Sequence, residues 1–124
     1  MLDGGCHCGR VRFRASVEEP IELYECNCSI CVKSGFLHLI VPQSAFTLLS
    51  GEADLSDYRF NTGIARHRFC RVCGIKSFYI PRSNPNGIDI NFRCLDLPAP
   101  AFTLRSFDGQ NWEANAARLR HLSL

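Results

Sequence analysis

Long apolar runs are missing from this chain. The longest, Phe36 to Val41, is broken by His38, so no stretch approaches the length of a membrane-spanning helix. A large charge of one sign is missing too. Fourteen Lys and Arg face twelve Asp and Glu across 124 residues, a formal net charge of +2. The basic residues are spread along the chain, which argues against nucleic acid as a partner. Met1-Leu2-Asp3-Gly4-Gly5 has neither a basic start nor an apolar stretch. No secretory signal is therefore expected, and the expected location is cytoplasmic. There is no internal repeat and no low-complexity segment. A hydrophobic content of 46% argues against disorder. The length suits one domain spanning 1–124.

What the chain does have is cysteine. Seven of its eight cysteines fall into three clusters. Cys6 and Cys8 form a C-x-C, Cys26, Cys28 and Cys31 a C-x-C-x-x-C, and Cys70 and Cys73 a C-x-x-C followed by Gly74. Four thiolates close a tetrahedral zinc site, whereas three leave a position open. A disulfide framework is the rival reading of an even cysteine count. Against it stand the absent secretory signal and a cysteine content below that of disulfide scaffolds. Residues two or three apart are also poorly placed to bridge each other, yet they chelate one metal well. Two loaded zinc sites would change the charge. Four thiolates on Zn²⁺ carry −2 and three carry −1, so the loaded chain would sit near −1.

The pattern between the clusters is mainly β. Val11, Phe13, Ala15 and Val17 alternate with Arg10, Arg12, Arg14 and Ser16, as in a half-buried strand. Ile21 to Tyr24 is extended and delivers the chain to Cys26. Phe36 to Val41 reads as a strand ended by Pro42. Asp57 to Phe60 and Ala65 to Phe69 flank a hairpin turn at Asn61-Thr62-Gly63. Lys76 to Ile80 reads as a further strand. Ile88, Ile90, Phe92 and Cys94 alternate with Asp89, Asn91 and Arg93, and Phe102 to Phe107 is a last strand. The tail is expected to be helical, with Asn111 as cap and Trp112, Ala116, Leu119 and Leu122 at helical spacing. The expected class is small antiparallel sheets held by zinc, with at most one short C-terminal helix.

Phe69-Cys70-Arg71-Val72-Cys73-Gly74 has the form of a zinc knuckle, with Gly74 supplying a positive φ. It needs two more ligands. Cys6 and Cys8 complete four sulfurs with nothing left over; the middle cluster would give five candidates and strand Cys6 and Cys8. The expected structural zinc is therefore held by Cys6, Cys8, Cys70 and Cys73. Cys26, Cys28 and Cys31 keep three thiolates. Their site is either closed by a fourth ligand, with His7, His38, His67 and Cys94 as the candidates, or open. Of these, Cys94 shares the apolar face of Ile88, Ile90 and Phe92, and His38 sits inside a hydrophobic strand. Three thiolates donate heavily and make zinc a mediocre activator of water. An open Cys₃ zinc is better suited to a soft sulfur, held as thiolate at neutral pH.

Gly5-Cys6-His7-Cys8-Gly9-x-Val11-x-Phe13, Cys26-x-Cys28-Ser29-x-Cys31 and Phe69-Cys70-x-x-Cys73-Gly74 together resemble the glutathione-dependent formaldehyde-activating enzymes and their centromere protein V relatives. Tyr79-x-Pro81-Arg82 and Phe107-Asp108-Gly109-x-Asn111-Trp112 are similar to the short bacterial-type members. The resemblance implies a β-tent fold. It implies structural zinc at Cys6, Cys8, Cys70 and Cys73, and a second, more labile zinc at Cys26, Cys28 and Cys31, which would be the catalytic residues. The implied reaction is the reversible addition of a glutathione-like thiol to formaldehyde, giving S-hydroxymethylglutathione, a carbon–sulfur lyase chemistry. The implied partners are a small thiol and a small aldehyde. This chain is shorter than the namesake enzyme, and it carries no glutathione-binding motif. Lys33, Arg66, Arg68, Arg71, Lys76 and Arg82 are the cations near the clusters that could meet carboxylates. Two other functions fit the same cysteines: a non-catalytic thiol-adduct carrier or zinc-stabilised interaction module, and a thiol redox sensor.

Overall fold

The computed structural model describes residues 1–124. In chain order the strands are β1 (Leu2–Gly5), β2 (Arg12–Ala15), β3 (Glu22–Cys26), β4 (Leu37–Pro42), β5 (Phe46–Ser50), β6 (Leu55–Tyr58), β7 (His67–Cys70), β8 (Phe78–Tyr79), β9 (Gly87–Asn91) and β10 (Thr103–Phe107). Helix α1 spans Ser29–Ser34 and α2 spans Trp112–Asn115. The strands form three small sheets, ordered β1-β2-β5, β10-β3-β4-β9-β8 and β6-β7. The mainly β expectation holds. No helix is long and apolar enough to cross a membrane.

The five-stranded sheet has two differently used faces, because successive side chains alternate across a strand. One face carries Leu23, Leu39, Val41, Ile88 and Ile90. It packs with Val11, Phe13 and Ala15 into the main core. Phe13 is fully buried and stacks on Phe46 at 5.3 Å between ring centroids. The other face carries Ile40, which packs with Phe107 and Leu119 from the C-terminal segment. Asn84 ties that segment down: its Nδ2 donates to Leu119 O at 2.8 Å and to Ser123 Oγ at 2.9 Å.

Several expected strands recur within a residue or two, including the β6–β7 hairpin, where Leu55 pairs with Cys70 and Tyr58 with His67. Besides two strands the pattern did not offer, β1 and β5, four features depart from the sequence reading. β10 pairs with β3 in parallel, Thr103 opposite Glu22 and Phe107 opposite Cys26. The two strands are far apart in the chain, so no tight turn imposes an antiparallel direction. β9 ends at Asn91, and Phe92–Cys94 forms a 3₁₀ turn, which takes Cys94 off the apolar strand face. The tail is helical only over α2 and then 3₁₀ over Ala116–Ser123, and the Asn111 side chain bonds Asp108 instead of capping α2.

The fourth departure is α1, which follows Cys28 directly. Val32 N–H donates to Cys28 O at 3.0 Å, and Gly35, left-handed at φ 62°, ends the helix. A single turn and a half of helix thus lies inside what reads in sequence only as ligand spacing.

Candidate metal centres and the cavity

The first cluster is made where two hairpins meet. Cys6 and Cys8 lie in the turn between β1 and β2; Cys70 ends β7 and Cys73 lies in the turn after it. Each turn closes on a glycine in the left-handed region, Gly9 at φ 84° and Gly74 at φ 77°. Gly74 N–H donates to Cys70 O at 2.8 Å, and Val11 N–H donates to the Cys6 sulfur at 3.3 Å. The four sulfurs lie within 4.8 Å of one another. Cys6 and Cys8 Sγ are 3.6 Å apart, and Cys8 and Cys70 Sγ 3.7 Å. Zinc–sulfur bonds of about 2.3 Å in a tetrahedron set sulfurs about 3.8 Å apart, so donor type and spacing both fit zinc. Burial opposes ionisation of Cys73, but backbone N–H groups of Cys8 and Ile75 outweigh it and bring the thiol down to about 6.

The second cluster is made by the β3–α1 junction. Cys26 ends β3, Cys28 precedes α1 and Cys31 lies within it. Their sulfurs also lie within 4.8 Å of one another. Cys31 is buried, and Cys26 and Cys28 are half-buried. The three share charge unevenly. Hydrogen bonds from Cys26 and Cys31 hold the Cys28 thiol far below its usual range, and the contacts with Cys26 and Cys28 push Cys31 far up. Three sulfurs this close form a donor set that a soft divalent cation can take over. The segment after β10 closes one side. A Cβ at Gly109 would overlap Cys26 Sγ and stand 3.1 Å from Cys28 Cβ, so backbone alone fits there. Gln110 N–H donates to Asn27 Oδ1 at 3.0 Å, and Asn27 Nδ2 donates to Asp108 Oδ1 at 3.0 Å.

The second cluster opens into a cavity of about 660 Å³. That is within the range of small-molecule sites. Behind the sulfurs stands a buried polar line. His38 Nε2 is 3.1 Å from Cys31 Sγ, and His38 Nδ1 is 2.5 Å from Asp89 Oδ2. Sheet register produces this line. Ile40 faces Asp89 and His38 faces Asn91 across β4 and β9, which sets His38 and Asp89 diagonally on the cavity face. Tyr79, opposite Asp89 on β8, shares that face. Its ring stacks on His67 at 4.9 Å. Lys76 Nζ donates to His67 Nδ1 at 2.6 Å and lies over the Tyr79 ring. Burial, then the nearby Lys76 charge, lowers His67 to about 4; burial lowers Lys76 to about 8.

The sequence-derived candidates separate cleanly. Cys6, Cys8, Cys70 and Cys73 converge, as do Cys26, Cys28 and Cys31, and the two groups share no residue. His7 is exposed on the first knuckle. Cys94 is half-buried outside both clusters, with Sγ 4.0 Å from Lys76 O. Of the candidate cations, Arg66 and Arg68 pair with Asp57 and Arg71 with Asp54. Lys33 and Arg82 line the cavity. The Arg82 guanidinium lies 3.4 Å over the Trp112 ring and pairs with Glu113. Sequence reasoning missed Asp89 and Gly109. A carboxylate between Ile88 and Ile90, in a strand pattern this apolar, was the available signal for the first.

The sequence profile of a family described as "Glutathione-dependent formaldehyde-activating enzyme" matches residues 1–106. A Halomonas elongata protein described as "Putative glutathione-dependent formaldehyde-activating enzyme" is 50% identical over 34 residues. That stretch is 27% of this chain and 22% of the Halomonas protein, so only a small part of the relative is matched. A crystal structure of a Rhodobacter sphaeroides protein superposes with a TM-score of 0.73 at 30% identity. The match covers 83% of this chain and 99% of that one.

Proposed function

We propose a function from one premise: this chain belongs to the glutathione-dependent formaldehyde-activating enzyme family. It binds a small thiol at a zinc held by Cys26, Cys28 and Cys31, and catalyses the reversible addition of that thiol to a small aldehyde such as formaldehyde. Cys6, Cys8, Cys70 and Cys73 hold a second zinc that is structural. The observation that carries the reading is the placing of three converging sulfurs in the wall of a cavity of about 660 Å³.

A zinc ion on three thiolates supplies an open position where a fourth sulfur sheds its proton at neutral pH. The chain's own residues do the rest. Gly109 and Asn27 keep the cluster compact, so an incoming sulfur approaches from the cavity side. Arg82 and Lys33 are the lining cations that can meet a carboxylate on the thiol. In the addition, the sulfur lone pair forms a bond to the carbonyl carbon, the C=O π pair moves to oxygen, and the proton lost by the thiol ends on that oxygen.

The test is formation of S-hydroxymethylglutathione from glutathione and formaldehyde, measured above the spontaneous rate. Excess turnover that disappears in Cys31→Ser supports the enzyme. Saturable thiol binding with no excess over that control would make the protein a carrier.

A further inference from the structure

Asp89 is 1% exposed, on strand β9 between β4 and β8, and a carboxylate buried this deeply needs a partner. Its Oδ2 has one, the imidazole of His38; its Oδ1 has no hydrogen-bond partner in the protein. The imidazole is fixed on its other sides as well. The Phe36 ring lies 4.8 Å and the Tyr79 ring 6.1 Å from it. With Nδ1 turned to Asp89, Nε2 can point only toward Cys31 Sγ, at 3.1 Å.

Two roles are open to an imidazole in this place: fourth ligand of the metal, or hydrogen-bond partner of a ligand. Distance separates them. The sulfurs of Cys26, Cys28 and Cys31 all lie within 4.8 Å of one another, and His38 Nε2 does not lie within that distance of all three. Ligands around a tetrahedral zinc with bonds of about 2.0–2.3 Å sit roughly 3.5–3.8 Å apart. His38 is therefore beside the cluster and not part of it.

We infer that His38, aimed by Asp89, is a positioning residue that carries a proton on each ring nitrogen, giving its Nδ1–H to the Asp89 carboxylate and its Nε2–H to the Cys31 sulfur from outside the coordination sphere. The inference rests on the metal site of the proposed function. Its chemistry follows from charge. Three thiolates on a divalent cation carry a net negative charge, and a fourth, incoming thiolate adds another. An N–H donor on Cys31 draws electron density off that sulfur, which lets the metal accept the fourth. Asp89 fixes the ring so that the donor is already aimed. Outer partners of this kind typically change metal affinity or activity by about 10–100-fold.

The experiment uses the full chain loaded with cobalt(II) at both clusters. Metal affinity is measured by chelator competition, and sulfur-to-cobalt charge-transfer and d–d absorption are recorded. His38→Ala should weaken the second site by about 10–100-fold and leave the first unchanged. Its charge-transfer band should move to lower energy, because an unbonded thiolate gives up an electron more readily. His38→Gln, which keeps an N–H donor at the Nε2 position, should recover most of both effects. Asp89→Asn should fall between them. If His38→Ala does not fold, the Gln and Asn variants carry the same comparison, with metal at the first site reporting the fold. Unchanged affinity and spectra in these variants would overturn the inference, as would a directly bound imidazole nitrogen in X-ray absorption of the wild type. A wild type that takes up only one metal would instead remove the proposed function, and the inference with it.

Discussion

Gly109 lies against Cys26 so closely that any side chain at 109 would occupy the space of the sulfur. The two residues are joined by the parallel pairing that sets Phe107 opposite Cys26. The segment after β10 therefore acts as a backbone wall for the second cluster.

Gly109→Ala should weaken metal binding at the second cluster by on the order of tenfold or more, while the first keeps its metal. Metal content per chain after mild chelation should fall from two to one. Full retention of both would show that the wall yields.

The two clusters should respond differently to loss of a ligand. Cys73→Ser removes one corner of the clasp between two hairpins and should unfold or aggregate the protein, since a structural zinc contributes folding free energy directly. Cys28→Ser should leave a folded chain with one metal fewer. Circular dichroism and metal analysis on both variants check this. Equal damage from the two would contradict the division of labour.

Acid should act through His67. In the folded chain it resists protonation down to about 4, whereas its unfolded value is near 6.5. The unfolded chain therefore takes up a proton first, and stability present above pH 6.5 is lost as pH falls towards 4. The loss should be about 3 kcal/mol. His67→Gln lacks this component, so the stability difference between wild type and variant should shrink across that window. Denaturation curves at matched zinc concentration measure it, and a difference that does not vary with pH would refute it.

Arg82 makes a prediction about thiol choice. Losing a charge-assisted hydrogen bond costs roughly 1.5–3 kcal/mol. Arg82→Gln should thus weaken binding of a carboxylate-bearing thiol by about 10–100-fold and leave a neutral thiol such as 2-mercaptoethanol unaffected. Calorimetry with both thiols would decide; equal effects on the two would assign Arg82 to packing on Trp112.

Much of this arrangement is legible in the residues. Ligand count divides the cysteines as the folded chain divides them, because C-x-C and C-x-x-C spacing is set by local turn geometry. Gly74 has the positive φ its place after a knuckle demands. Alternation identifies Val11, Phe13 and Ala15 as one buried face. What the sequence conceals depends on sheet register. Period-two alternation separates Ile88 and Ile90 from Asp89 and Asn91, but both faces of β9 are buried, so the pattern does not say what the polar face meets. His38 reads as a histidine in an apolar strand because the carboxylate that aims it is 51 residues away. The Gly109 wall is more remote still from Cys26 and follows from a parallel pairing that no hairpin signal announces.

Cys8 and Cys70 meet across 62 residues of chain. A cross-link that closes a loop of that size removes about 4 kcal/mol of chain entropy from the unfolded ensemble. Metal at the first cluster would thus restrict the unfolded chain as well as brace the folded one. Its binding would bring the β1–β2 and β6–β7 hairpins together early, and shorten the search for every sheet contact made between them.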